Sequence, residues 1–365
     1  MPIPTEPLRL VQVGAGSMGR NWLDAIADSP DTELVALVDL DPETATRAAA
    51  DGGLSVVVGR SLSEVLDQVQ ADAVVNVTVP QAHREVCTTA LLRGLAVLSE
   101  KPLADTVSAG LSMMAAAEVS GRLLMVSQSR RYWRTLSALR TQLTRLGRIG
   151  LIECSFFKAP HFGGFRDQMA YPLLLDMAIH QFDLARDLVG SDPVSVSCES
   201  FNPPWSWYAG DAAAKVDFTF ADSVHFGFTG SWCAPGLETS WNGSWRISAE
   251  GGTAIWDGDH EPVAETADGT HLPAVVGAEP EQIAGSLAEF VAALRTGERP
   301  SGEVHRNIVS LAMVEAAISS AEGGRRVAIT DLLDDAYGAA LRAEDHPEVL
   351  TQMTRWSSVH DAMAT

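Results

Sequence analysis

Two periodicities divide this chain and predict an α/β protein of two domains. Up to about residue 127, short apolar strands alternate with helical stretches, the rhythm of a doubly wound parallel sheet. From Ile149 onward the strands lengthen and alternate apolar with polar side chains, as in Val216, Phe218 and Phe220 against Lys215, Asp217 and Thr219. Within the first part, one strand runs into a glycine-rich turn and the next ends in an acid. A parallel sheet uses that pairing to hold a nucleotide at the carboxyl ends of its strands. At 365 residues the chain is long enough for two cores.

The first strand, around Leu8 to Val13, leads into VGAGSMG, with Gly14, Gly16 and Gly19 in GxGxxG spacing around Ser17 and Met18. Gly14 permits the tight turn, Gly16 lets a pyrophosphate approach the backbone, and Gly19 allows close packing of the following helix. The pyrophosphate would rest on that helix N-terminus, where unpaired N–H groups and the dipole favour negative charge. The second strand, Leu34 to Val38, ends in Asp39, which lies 20 residues after Gly19. A carboxylate there meets the adenosine ribose hydroxyls and repels a 2′-phosphate, and Leu40 follows it where an Arg would bind one. NAD is therefore expected over NADP.

The βα rhythm continues with a helix over 61–70, capped by Ser61, and a strand over 73–79. A helix over 82–93 and a short strand over 96–99 follow. Thr78, Pro80 and His83 fall at the strand end that faces a cofactor, although His83 reads equally well as a helix-start residue in solvent. The triplet Glu100-Lys101-Pro102 directly follows a strand, which places Lys101 at the nucleotide crevice, where its ammonium can hold a hydroxyl or carbonyl oxygen. Glu100 would restrain that lysine or contact the nicotinamide side.

A helix over 171–189, YPLLLDMAIHQFDLARDLV, places Asp176, His180 and Asp183 at i, i+4 and i+7, on one face. A carboxylate one turn before an imidazole can fix its tautomer and leave the other ring nitrogen as a base.

Composition narrows the function. There are 26 Lys+Arg against 47 Asp+Glu, for a formal charge of −21. Such a surface repels phosphate backbones and anionic membranes, so neither nucleic acid nor membrane is an expected partner. The start, MPIPTEPLRL, has no basic segment ahead of an apolar core and is not read as an export signal. Cys87, Cys154, Cys198 and Cys233 are scattered with no CxxC pair, which points to reduced thiols in the cytoplasm rather than disulfides or zinc. No metal site is expected, since no histidine has a second ligand at metal-binding spacing.

The motifs VGAGSMG, VDLDPE, TVPQAH, SEKPLA and LLLDMAIHQFDLARDLVG, in this order from about Leu8 to Asp331, resemble the glucose–fructose oxidoreductase, inositol dehydrogenase and rhizopine-catabolism (Gfo/Idh/MocA) family. The resemblance implies an N-terminal Rossmann domain and a C-terminal α+β domain with a large, mostly antiparallel sheet. It implies an NAD(P)-dependent oxidoreductase acting on a sugar, cyclitol or related polyol, and a homo-dimer or homo-tetramer formed through that sheet. Lys101 matches the lysine of the EKP motif, contacting substrate and cofactor. Asp176 and His180 match the acid and the proton-transferring histidine of the DxxxH pattern, and Asp183 matches a structural acid. Arg130 and Arg131 match an arginine pair, with Arg131 expected at the substrate. Ala178 replaces a frequent glycine and Ser129 a frequent asparagine, departures that bear on substrate choice. Two other functions fit the same residues: a tightly held cofactor serving internal sugar interconversion or elimination, and a non-enzymatic NAD-sensing regulator.

The expected boundaries are 1–127 for nucleotide binding, 128–335 for substrate and oligomerisation, and 336–365 for a polar tail that is partly ordered at best. In the second part, His161 on a Phe162-Gly163-Gly164 loop is expected to gate the pocket. Five tryptophans between Trp205 and Trp245 are expected mostly in the sheet core or an interface, some of them at a sugar ring.

Overall fold

The computed structural model describes residues 6–364, so the first five residues of the segment in which no export signal is read lie outside them. Contacts group the chain into two compact units, one comprising the chain up to Ser129, Pro280–Ile308 and Asp334 onward, the other Arg130–Glu279 and Val309–Leu333.

The first unit begins as β1 (Leu8–Val13), α1 (Ser17–Asp28), β2 (Thr32–Val38), α2 (Pro42–Asp51), β3 (Val57–Gly59) and α3 (Leu62–Leu66). It continues as β4 (Ala73–Asn76), α4 (Pro80–Leu92), β5 (Ala96–Glu100), α5 (Val107–Ser120) and β6 (Leu124–Ser127). The six strands are parallel in the order β3-β2-β1-β4-β5-β6. Chain direction across the sheet reverses between β1 and β4, the crevice where such folds take ligands. The strands are buried on both sides, as the residues of β4 show, because helices cover both faces. Ser61 caps α3 as expected, its hydroxyl accepting from the Glu64 N–H at 3.3 Å, whereas α4 opens at Pro80, two residues before the start read in the sequence.

The second unit carries α6 (Arg134–Leu146), β7 (Ile149–Phe157), α7 (Ile179–Val189), β8 (Pro193–Phe201), β9 (Ala213–Phe220), β10 (His225–Ser231) and β11 (Ser244–Ala249). Three further strands of this unit are β12 (Gly252–Trp256), β13 (Val263–Thr266) and β14 (His271–Leu272); of the helices that come next in the chain, α8 (Gln282–Thr296) groups with the first unit and most of α9 (Val304–Gly323) with the second. With β15 (Val327–Ala328) the strands of this unit form a nine-stranded sheet in the order β14-β13-β12-β11-β7-β10-β9-β8-β15, antiparallel except where β7 runs parallel to β10. The predicted two faces exist. Val216, Phe218 and Phe220 are buried, while Lys215, Asp217 and Thr219 point to the open side. Trp232, Trp245 and Trp256 are core residues, whereas Trp205 and Trp241 are exposed. Sequence periodicity missed β12 to β15 because strands of two to five residues are too short to show it.

The domain division differs from the one read in the sequence. The expected tail is ordered: α10 (Ile329–Ala343), α11 (Pro347–Met353) and α12 (Val359–Met363) follow, with Val349, Met353 and Val359 almost fully buried. Apolar residues interspersed among the polar ones supply the packing face, and polar anchors complete it. The Trp356 Nε1–H donates to Glu118 of α5 at 2.7 Å, Gln352 Nε2 donates to the same carboxylate at 2.9 Å, and Arg84 pairs with Glu344 at 3.0 Å. Among the described residues no helix is long and apolar enough to cross a membrane, and all four cysteines are unbridged thiols.

The Glu118 anchor also holds His305, at 3.0 Å from Nε2, while Glu303 meets Nδ1 at 2.5 Å. Burial pushes the imidazole pKa down, but the two carboxylates outweigh it and raise it to about 9. A folded value above the unfolded one contributes stability that is complete below pH 6.5 and is lost as pH rises through about 9. Wild type is expected to lose on the order of 2–3 kcal/mol across that window in chemical denaturation. His305→Gln should flatten the loss, and an unchanged pH profile in that variant would remove His305 as its source.

Candidate functional site

In the first unit, the sequence-predicted residues collect at the carboxyl edge of the parallel sheet. Gly14 has φ +102°, and a Cβ there would lie 2.4 Å from the Val77 carbonyl oxygen, so both the backbone angle and the approach to the turn after β4 require glycine. A Cβ on Gly19 would meet the Gly14 oxygen at 2.3 Å, the close packing expected of the third glycine. At Gly16 an added Cβ meets nothing within 4 Å, which leaves the backbone open to a ligand. Ser17 and Met18 open α1, whose N-terminus has no side-chain cap and no acid in its first turn. Those N–H groups and the open Gly16 fit a dinucleotide pyrophosphate.

Asp39 ends β2 half-buried, one oxygen accepting from the Ala15 N–H at 2.8 Å and the other from the Asp41 N–H at 3.0 Å. It thereby orients the glycine turn from the position expected for a ribose acid. Gln12, unremarked in the sequence, is fully buried and donates to the carbonyls of Gly14 (2.8 Å) and Gly19 (2.9 Å). Asn76 was missed as well. It accepts from the Thr78 hydroxyl at 2.7 Å and donates to the Ser99 hydroxyl at 3.0 Å, joining the ends of β4 and β5. A polar residue inside an otherwise apolar, buried strand was the readable signal for both.

One reading at this edge is corrected. His83 is fully buried, with Nδ1 2.9 Å from the Pro102 oxygen and Nε2 3.1 Å from the Thr78 oxygen, so it is not a helix-start residue in solvent. Glu100 has both carboxylate oxygens engaged, by the Trp22 indole N–H at 2.9 Å and the Lys101 N–H at 3.0 Å. Its burial raises its pKa. Glu100 braces the backbone of the lysine loop. Lys101 itself stands half-buried immediately beyond β5.

The remaining residues belong to the second unit. Residues Leu173–Ala178 form a π-helix that runs into α7, so the run read as one α-helix changes its winding between Asp176 and His180. His180 is buried at 7% exposure, and Asp176 accepts from Arg166 Nε at 2.7 Å. Arg166 lies on a 3₁₀ turn over Gly164–Gln168 and covers the rings of Phe165 (4.8 Å) and Phe162 (5.5 Å). On the same loop, His161 stacks on Trp207 at 3.7 Å and Phe162 stacks on Trp241 at 6.2 Å. Asp183, one turn further along α7, is buried. It accepts from Arg131 through both oxygens at 2.7 Å and from the Ser310 hydroxyl at 2.6 Å. Arg131, expected at the substrate, is thereby corrected to a buried structural cation, while Asp183 is structural as expected. The arginine pair gave no sequence-level means of telling which member turns inward.

Comparison with known proteins matches the model "Oxidoreductase family, NAD-binding Rossmann fold" over residues 8–128 and the "GFO/IDH/MocA C-terminal domain" over residues 140–256. The chain belongs to the Gfo/Idh/MocA oxidoreductase family. D-apiose dehydrogenase of Paraburkholderia graminis is 28% identical over 89% of this chain and 90% of its own. Inositol 2-dehydrogenase of Rhizobium meliloti is 26% identical over 88% and 99%. An oxidoreductase of Agrobacterium radiobacter, solved with NAD+, L-tartaric acid and magnesium, superposes with a TM-score of 0.82 at 21% identity, over 89% of this chain and 99% of that one. As a Gfo/Idh/MocA protein the chain is an oxidoreductase with an NAD-binding Rossmann domain, and the open Gly16 backbone and uncapped α1 are where its residues fit the nucleotide.

The glycine geometry sets an expectation for binding. Gly14→Ala must place a Cβ into the Val77 carbonyl at a positive φ, so NADH affinity, read by quenching of tryptophan fluorescence, should fall at least about tenfold. Ala at Gly16, where space is open in the free protein, is expected to weaken NADH without lowering the melting temperature. Equal affinity in both variants would deny these glycines a role in the cradle.

Proposed function

We propose that the protein oxidises a secondary hydroxyl of a sugar, cyclitol or related polyol with NAD. Lys101, on the loop after β5 of the first unit, and His180, at the start of α7 in the second, with Asp176 in the π-helical turn before it, are the residues assigned to the reaction. The observation that carries the reading is the buried imidazole of His180, one helical turn from a carboxylate already held in an ion pair, in a family of nicotinamide oxidoreductases. NAD, when bound, supplies the hydride acceptor. Lys101 holds the reacting oxygen by a charged hydrogen bond and stabilises negative charge developing on it. His180 takes the hydroxyl proton, and Asp176 orients the imidazole and favours its charged form. The exposed rings of Phe162 and Trp241 offer apolar surface suited to the C–H surface of a pyranose or inositol ring.

Asp39 underlies the preference for NAD, since its carboxylate, already turned toward the nucleotide loop, would oppose a 2′-phosphate. Association of copies through the open face of the nine-stranded sheet accounts for the exposed Leu151, Ile255 and Val263 set among charged neighbours there. A cytoplasmic setting suits the four unbridged thiols.

NADH formation across a panel of sugars, cyclitols and polyols tests the assignment. At least one member should turn over, and Lys101→Ala and His180→Ala should each lower kcat/KM by ~10²–10⁴-fold. Undiminished turnover in either variant removes that residue from the chemistry. Pairing Asp39→Ser with Leu40→Arg should move the NADP-to-NAD affinity ratio upward by at least about tenfold, the equivalent of roughly 1.4 kcal/mol. A ratio left in place would sink the role given to Asp39.

A further inference from the structure

His83 is a fully buried histidine outside the set assigned to the reaction. Its ring bridges two loops. Nε2 lies 3.1 Å from the Thr78 oxygen in the turn after β4, and Nδ1 lies 2.9 Å from the Pro102 oxygen and 3.3 Å from the Leu103 oxygen, directly beyond Lys101. Burial lowers its pKa and so disfavours the imidazolium, which alone donates from both nitrogens, so the neutral ring donates to one loop and packs against the other. The turn on the Thr78 side is itself pinned. The Val77 carbonyl abuts Gly14 so closely that no Cβ fits between them, and Asn76 ties Thr78 to Ser99 of β5. On the Lys101 side, the Lys101 N–H is held by Glu100, which Trp22 of α1 holds in turn. One imidazole thus closes a ring of contacts running from the nucleotide glycines through the β4 turn to the lysine loop.

We propose that His83 is a positioning residue for the reaction, setting the loop of Lys101 against the turn that packs on the nucleotide-binding glycines. It touches neither substrate nor cofactor, and acts through the carbonyls of Thr78, Pro102 and Leu103. The inference rests on the role given to Lys101, and a readout other than turnover keeps the two separable. Small displacements of a positioned group cost rate steeply, whereas the nucleotide cradle, built from the main chain of Gly14 to Gly19, does not require the imidazole.

The chain contains three lysines, Lys101, Lys158 and Lys215, so reductive ¹³C-methylation of the full-length protein gives a small set of signals assignable with single Lys→Arg variants. In His83→Phe, which keeps a ring and loses both polar atoms, the dimethyl-Lys101 signal and its pH titration should move while those of Lys158 and Lys215 stay in place. NADH affinity should remain within about twofold, and kcat on any polyol that wild type oxidises should fall at least about tenfold with KM little changed. In His83→Gln, whose amide keeps N–H donors at one end of the side chain only, part of the kcat should return. Should His83→Phe fail to fold, His83→Gln decides, because its single amide cannot reproduce the contacts to both loops and the Lys101 signal must still shift. A Lys101 signal at its wild-type position in either folded variant overturns the proposal whatever the turnover. A shifted signal with unchanged kcat would instead count against Lys101 as a reacting group.

Discussion

Where the strands of a parallel sheet stop, their main-chain N–H and C=O groups lose their ladder partners, and those left buried must find others. The carboxyl edge of the six-stranded sheet meets that demand with side chains. Gln12 covers the carbonyls of Gly14 and Gly19, Asp39 the N–H of Ala15, and Asn76 the N–H of Thr78. His83 and Glu100 do the same for the turns around Thr78 and Lys101. An unpaired buried polar group costs about 1–3 kcal/mol, so these residues hold the loop geometry by penalising every alternative to it. The α1 N-terminus is different. No side chain of its own caps it and no acid crowds it, so its donors stay available to an anion.

That division explains what the sequence disclosed and what it withheld. Gly14, Gly16 and Gly19 are legible because a turn and a helix start lie within six residues, and Asp39 because it ends the next strand at the fixed spacing of a βαβ unit. Lys101 is legible because it directly follows a strand. Asn76 and Trp22 were not, because their partners stand 23 and 78 residues away, and Gln12, whose partners are 2 and 7 residues on, was marked only by its polarity within an apolar strand. Distance also misled the reading of His83. A histidine near a helix start resembles a solvent-facing one until its buried carbonyl partners are seen. The C-terminal segment was misjudged for a related reason. Its polar average hides Val349, Met353 and Trp356, whose partners on α5 come more than two hundred residues earlier.

Charge offers a second case of global against local. A formal charge of −21 would seem hostile to a dinucleotide, itself anionic. Yet much of the acid is distant from the cradle or already paired, as Asp72 is with Arg9 and Asp51 with Arg20. Screening beyond about 8–10 Å leaves the nearest dipoles in control. Net charge therefore predicts little about the cradle.

The second unit adds a contrast between two acids of one helical run. Asp183 is sealed, with Arg131 and Ser310 around it, and removal of either charge of such a pair would leave the other stranded at a cost of about 3–5 kcal/mol. Asp176 is paired as closely, at 2.7 Å, but its partner Arg166 is a third exposed and stands on a loop that begins with Gly163 and Gly164 at positive φ. An ion pair open to water contributes about 0–1 kcal/mol, too little to prevent exchange of partners. The π-helical winding at Leu173–Ala178 separates the two environments, rotating Asp176 away from the α-helical register that buries Asp183. One acid is thereby fixed as scaffold, and the other keeps a partner on a surface loop that it can exchange.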